Sequence, residues 1–169
     1  MTISLYQASV PLFKQLLAAL SDVLAKAEAD ALARKFDPAI LLQARLYPDM
    51  FPLYRQVQIA TDFARGACAR LAGVEVPVVP NEQTSFADLA ALIGESCAFI
   101  DTLAPAQIDG QEDREIILRP GTPKEKRLHG QAYLIHYALP QFFFHVTTSY
   151  AILRSQGVEV GKRDFMGVY

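Results

Sequence analysis

The feature that most limits the fold of this chain is a stripe of apolar residues with helical spacing between residues 51 and 71. Its members are separated alternately by four and three positions and are Leu53, Val57, Ala60, Ala64, Ala67 and Leu71. This spacing places all of them on one face of an α-helix. A stripe of this width is typical of a helix that packs in a bundle. We therefore predict a long helix over 51–71 that is closed by Gly73, a residue suited to helix C-termini.

Three further segments have the same helical character. The first covers residues 9–33, with Ser9 as its predicted N-cap, and Pro11 falls in its first turn, where a missing backbone N–H has no cost. The third in chain order begins at Ser85, a typical N-cap residue, and Asp88 completes an acidic variant of the capping box. The fourth covers residues 131–155. Together the four segments predict a helical bundle.

The fourth segment is apolar over much of its circumference. Its predicted seam consists of Ile135, Leu139, Phe142, Val146, Tyr150 and Leu153. Phe143 and Phe144 lie off this seam, so one stripe of contacts does not cover them. Pro140 removes the bond to the carbonyl of His136 and predicts a kink. Because uncovered aromatic residues would form a large apolar patch, we expect a homodimer in which this helix takes part.

The segment between the third and fourth helices has a different pattern. EIIL at 115–118 indicates a strand, PGTPK at 120–124 a turn, and EKRLH at 125–129 a returning strand. We predict an all-α fold, an antiparallel four-helix bundle with a short β-hairpin inserted before the last helix. The chain is expected to form a single domain over 1–169.

Composition excludes several classes of function. The chain is 51% apolar and 20% charged, with a formal net charge of −2, so it has no basic surplus for nucleic acid. No apolar run reaches the ~18 residues that a membrane span needs. The only two cysteines, Cys68 and Cys97, provide neither a disulfide framework nor a cysteine metal site. They are expected to be inert thiols near the core of a cytoplasmic protein.

Few side chains indicate chemistry. His136 and His145 are nine residues apart, about 900° around a helix, so they lie on opposite sides and cannot share one metal ion. Gln141 and His145 are four apart and share a face. They form either a hydrogen-bonded pair at a helix interface or one edge of a polar pocket. Gln56 lies about 60° from the seam of its helix, so its amide can reach the bundle interior.

Several strings of the sequence also resemble a known family. They are YQASVPLF, ARLYPDMFPLYRQVQIA, LAGVEVP, DGQEDREI, HYALPQFFFHVTTSYAILRSQGV and GKRDF, and they span nearly the whole chain. The sequence resembles a bacterial family of uncharacterised proteins in the DinB/YfiT-like superfamily. This resemblance implies a four-helix bundle, usually dimeric, with a cavity between the helices.

The resemblance also implies a degenerate metal site. The superfamily typically binds a divalent metal through one histidine of helix two and a His-x-x-x-His pair of the last helix. His145 matches the second histidine of that pair, Gln141 stands at the first, and Gln56 or Gln58 stands near the remaining ligand. A single imidazole with two amides is a poor site for a transition metal. We therefore predict no cofactor, with a divalent metal at His145 as the alternative.

Two functions follow from these residues. The first is binding or transfer of a small molecule in a pocket between helices two and four, lined by Gln56, Gln141 and His145. The second is a metal-free dimeric protein that acts in interaction or sensing without turnover. A metal-dependent transferase of the superfamily type is the third alternative, and the sequence leaves open whether the protein is an enzyme.

Overall fold

A computed structural model describes residues 3–169, so the first two residues of the predicted domain lie outside the described residues. The helices before the hairpin are α1 (Val10–Ala33), α2 (Ala39–Gln43), α3 (Leu53–Ala72), α4 (Phe86–Asp101) and α5 (Pro105–Ile108). The hairpin is formed by β1 (Glu115–Leu118) and β2 (Lys126–His129). The last long helix combines α6 (Gly130–Tyr133), a π-helical turn (Leu134–Ala138) and α7 (Leu139–Ser155), and α8 (Lys162–Met166) follows it. The predicted bundle with a hairpin before its last helix is confirmed.

The core lies between α1, α3, α4 and the last helix. α3 packs against α4 and α7, while α1 packs against α4, α7 and α8. Each residue of the predicted α3 seam is fully buried. Across the bundle, the rings of Phe13 and Phe142 meet edge to face with their centroids 4.8 Å apart. Gly73 closes α3 with φ of 70°, a left-handed conformation that glycine adopts without strain.

The long connection between α3 and α4 determines how these two helices run. Gln58 donates to Gln83 just before α4 begins, and Arg65 donates to Ser96 further along α4. These pairs advance together along both helices, so α3 and α4 run in the same direction. The extended segment 74–84 therefore carries the chain back along the bundle.

Of the two serines predicted to cap helices, Ser9 before α1 and Ser85 before α4, only Ser85 does so. α1 begins directly after Ser9, but the Ser9 hydroxyl donates to the carbonyl of Leu5 and does not cap the helix. At α4 the predicted capping box is present. Ser85 Oγ accepts from the N–H of Asp88 at 3.1 Å, and the Asp88 carboxylate accepts from the N–H of Ser85 at 3.0 Å. This reciprocal pair fixes where α4 begins.

The seam predicted for the start of the last helix is wrong. Ile135, which was assigned to the seam, is 46% exposed, whereas Leu134 and Ala138 are fully buried. Pro140 has no N–H for the carbonyl of His136, and the helix widens there into the π-helical turn. The extra residue in this turn rotates the preceding part of the helix by about 100°, which moves the buried face by one position.

The two predicted strands pair antiparallel, with Glu115 opposite His129 and Leu118 opposite Lys126. Leu118 is buried against the bundle. After β1 the chain turns at Arg119, whose φ of 52° lies in the left-handed region that non-glycine residues seldom adopt. The hairpin therefore lies over the bundle. No helix within residues 3–169 combines the length and apolar character needed to cross a bilayer.

Candidate functional site

Two of the three residues predicted to line a pocket contact each other directly. His145 Nδ1 lies 2.7 Å from Gln56 Oε1, and this hydrogen bond joins α7 to α3. The two side chains are only 7% and 1% exposed, respectively. The sequence left Gln56 and Gln58 as alternatives near this position. Gln58 instead bonds to Arg55 and Gln83.

The hydrogen bonds of Gln56 define the protonation of His145. Gln56 Nε2 donates to the carbonyl of Phe51 at 3.0 Å, so the amide oxygen faces the imidazole. An amide oxygen only accepts, so His145 must donate from Nδ1, which leaves Nε2 as an unprotonated acceptor in the neutral ring. Burial, with a smaller contribution from the nearby Arg55, lowers the pKa of His145 to about 4. His145 is therefore neutral at physiological pH.

Aromatic rings enclose this imidazole. The Phe63 ring stacks on it with the centroids 6.0 Å apart, and the Phe144 ring meets it edge-on at 5.2 Å. Gln141, the third predicted pocket residue, is partly buried. Its side chain makes no hydrogen bond within the described part of the chain. Of the two alternatives for Gln141 and His145, the hydrogen-bonded pair is not found within residues 3–169, and the partner of His145 is Gln56 instead.

A cavity of about 200 Å³ opens between the same two helices, toward the hairpin. Its lining residues are Asp62, Phe63, Arg70, Leu118, Arg119, Tyr133 and Tyr137. Phe63 lies seven residues after Gln56, about 10 Å along α3. The ring of Phe63 stacks on His145 and also contributes to the cavity wall. The buried hydrogen-bonded pair and the cavity are therefore neighbours on one helix interface.

Two tyrosines from the last helix form the opposite wall. Tyr133 is almost fully buried and precedes the π-helical turn, and Tyr137 lies within that turn. Their rings stack with centroids 5.9 Å apart. Arg70 Nη1 donates to the Tyr133 hydroxyl at 3.4 Å. Burial is the main cause that raises the pKa of Tyr133, so its hydroxyl keeps its proton.

The sequence analysis did not identify this cavity. The signal that could have indicated its α3 side is the seven-residue repeat of Gln56, Phe63 and Arg70. Seven residues make nearly two helical turns, so the three form a stripe beside the apolar seam. The opposite wall carries no such signal, because the π-helical turn changes the phase of Tyr133 and Tyr137.

Comparison with known proteins places the chain in a family. Residues 5–166 match the model described as Domain of unknown function (DUF1993). The chain belongs to the DUF1993 family. It is also similar to a DinB family member protein from Shewanella denitrificans, with 37% identity and a TM-score of 0.92 over 98% of this chain and 93% of that one. No curated protein matches the sequence. The DinB-like resemblance is therefore confirmed.

The residues of this DUF1993 chain do not fit the divalent metal that the DinB-like resemblance implies. The Gln56 amide is engaged at both ends, by His145 and by the Phe51 carbonyl. His145 Nε2 is the one imidazole nitrogen at this position that could still bind a metal ion, and the neighbouring amides are weak ligands for transition metals. Residues 3–169 contain no group of three or more histidine, cysteine, aspartate or glutamate side chains that is arranged to hold an ion.

Proposed function

We propose that this DinB-like protein binds a small organic molecule between α3 and the last helix, without a transition metal. The observation that best supports this is the cavity of about 200 Å³ beside the Gln56–His145 pair. A concave site with aromatic walls and a few convergent polar groups is the usual form of a small-molecule site. Ligand pockets of drug-sized molecules measure roughly 300–1,000 Å³, so the ligand here is smaller.

The residues divide between support and contact in this proposal. Gln56 and His145 form a buried hydrogen bond that holds α3 and α7 at a fixed distance. Phe63, Tyr133 and Tyr137 provide the ring surfaces that contact the ligand. Gln141 lies outside the cavity lining, so the binding position moves from the predicted pocket toward the hairpin.

A ligand-observed NMR screen tests the proposal. A mixed library of small anionic, neutral and cationic compounds is applied to the wild-type protein and to Tyr137→Ala. The matched control is Tyr150→Ala, a partly buried tyrosine of the same helix whose ring packs on Phe165, away from the cavity. We expect at least one compound that binds the wild type and the control but not Tyr137→Ala. A library without any such compound contradicts small-molecule binding at this cavity.

A second candidate is a dimeric interaction protein without turnover. Phe51 and Phe144 are each 55% exposed, and Phe143 is 36% exposed. Both Phe51 and Phe144 adjoin the Gln56–His145 bond, because the Phe51 carbonyl bonds to Gln56 and the Phe144 ring contacts His145. We propose that a two-fold related copy covers these rings, since the same patch on each subunit can face its copy.

Light scattering tests whether the protein forms this dimer. The wild type is expected at twice the chain mass of 18.7 kDa at micromolar concentration, and Phe144→Lys at the mass of one chain. Leu32→Lys, an exposed apolar residue of α1, is the matched control and should leave the dimer intact. A wild-type mass of one chain contradicts the dimer. A dimer that survives Phe144→Lys places the interface elsewhere.

Elemental analysis addresses the metal-dependent alternative. Protein purified without a histidine tag is expected to contain no stoichiometric zinc, nickel or iron. About one ion per chain that is lost in His145→Ala would instead support a metal-dependent enzyme.

We also propose that the protein is located in the cytoplasm, where the free thiols of Cys68 and Cys97 remain reduced.

A further inference from the structure

We infer that the ligand of this cavity is a small carboxylate carried on a flat apolar ring. This inference rests on the proposed function and names its ligand class. It is based on two arginines, Arg70 and Arg119, that line the same small space as the three rings of Phe63, Tyr133 and Tyr137.

The charge around the cavity is positive. Neither Arg70 nor Arg119 takes part in an ion pair within residues 3–169. Asp62 is the one acidic residue in the lining, and its carboxylate accepts from Arg65, which is itself 2% exposed. Lys126 Nζ lies 5.9 Å from the ring centroid of Tyr137 and adds a further positive charge. The whole chain has a net charge of −2, but the charge around this cavity is positive. The cavity therefore favours the binding of an anion.

Arg70 lies close to the backbone of α3. Its guanidinium group lies over Gly66, where an added Cβ would come within 2.5 Å of Nη1. A glycine in the interior of α3 is unfavourable for the helix, but here it leaves space for the arginine. Arg70 uses one of its five N–H donors on the Tyr133 hydroxyl, and the structure shows no other hydrogen bond from this side chain within the described residues. The remaining donors are suited to the two oxygens of a carboxylate.

The shape of the cavity determines the rest of the ligand. Phe63 and Tyr137 meet edge to face at 5.9 Å, and Tyr133 stacks on Tyr137, so ring surfaces form two sides of the space. Aromatic walls favour a flat apolar group, which they contact over its faces and edges. The volume of about 200 Å³ limits this group to about one ring. Benzoate combines these properties and is therefore the probe.

Benzoate binding is measured by titration calorimetry and ligand-observed NMR on the full chain. For the wild type we expect a Kd of about 1 mM. Arg119→Asn removes the charge while keeping a residue that tolerates the left-handed backbone, and it should weaken binding about tenfold. Gly66→Ala should do the same by displacing the Arg70 guanidinium, although alanine is the better helix former and the fold is retained. Arg127→Gln, an exposed arginine of the same hairpin outside the lining, is the control and should bind as the wild type does.

Benzamide has the same shape without the charge, and inorganic phosphate has charge without the ring. Both are expected to bind the wild type at least about tenfold more weakly than benzoate. Equal binding of benzamide and benzoate would overturn the preference for an anion but leave small-molecule binding intact. Equal binding of phosphate would overturn the requirement for a ring. Undetectable benzoate binding overturns this inference, and the library screen then decides separately whether the proposed function also fails.

Discussion

Replacing His145 with glutamine should flatten the pH dependence of unfolding between pH 7.5 and 4.5. In the folded protein His145 is buried and neutral, with a pKa lowered from 6.5 to about 4. The unfolded chain therefore binds a proton at His145 in a range where the folded protein does not. Since the unfolded state is the one that gains the proton, stability is fully present above pH 6.5 and is lost as the pH falls toward 4.

The size of the effect follows from the two pKa values. Proton linkage with pKa values of 6.5 and about 4 gives a loss of about 1.4 kcal/mol at pH 5.5 and about 2.5 kcal/mol at pH 4.5. Asp88, a carboxylate whose pKa is lowered by hydrogen bonds from Thr84 and Ser85, titrates below this range. Burial raises the pKa of Asp62, so this carboxyl also contributes to the pH dependence, and the difference between the wild type and a His145 variant isolates the contribution of His145.

Urea unfolding followed by circular dichroism at a series of pH values measures this free energy. His145→Gln should lose about 2.5 kcal/mol less than the wild type between pH 7.5 and 4.5. His136→Gln, at an exposed histidine of the same helix, is the matched control. Equal pH dependence of the wild type and His145→Gln would refute a buried neutral imidazole.

Three further predictions concern single sites. Gln56→Leu removes the acceptor of the buried His145 N–H and should lower the free energy of unfolding by about 1–3 kcal/mol in urea titrations, and an unchanged value would contradict a buried bond. Ser85→Ala removes one half of the α4 capping box and should cost about 1 kcal/mol, measured by the same titrations; Thr102→Ala, beyond the other end of α4, is its control. Cys68 is buried with its pKa raised to about 12, so a thiol reagent should label it only after unfolding, and rapid labelling of the native protein would be inconsistent with that burial.

Much of the fold could be predicted because it depends on local signals. The seam of α3 and its end at Gly73 follow from spacing and from the conformational freedom of glycine. The start of α4 follows from Ser85 and Asp88, which lie three positions apart. The hairpin follows from two short strand patterns around a turn. Each of these signals lies within a few residues, where periodicity and capping rules apply directly.

The parts that could not be predicted depend on one helix meeting another. Pro140 indicates that the last helix is irregular near this residue. Whether the helix kinks or widens depends on how it packs, and the observed widening leaves Ile135 exposed. The choice between Gln56 and Gln58 required the rotation of α3 against α7. Arg119 and Arg70 come from a hairpin and a helix that are 49 positions apart in the sequence, so no spacing rule relates them.

The π-helical turn between Tyr133 and His145 has a consequence for changes in chain length. Removing one residue from this turn, such as Ala138, together with Pro140→Ala, would convert it to regular α-helix. The segment before it would then rotate by about 100°, which would carry Tyr133 and Tyr137 away from the cavity while His145 kept its partner. A single-residue insertion or deletion here would thus exchange the residues of this helix that line the cavity in one step, which no point substitution can do.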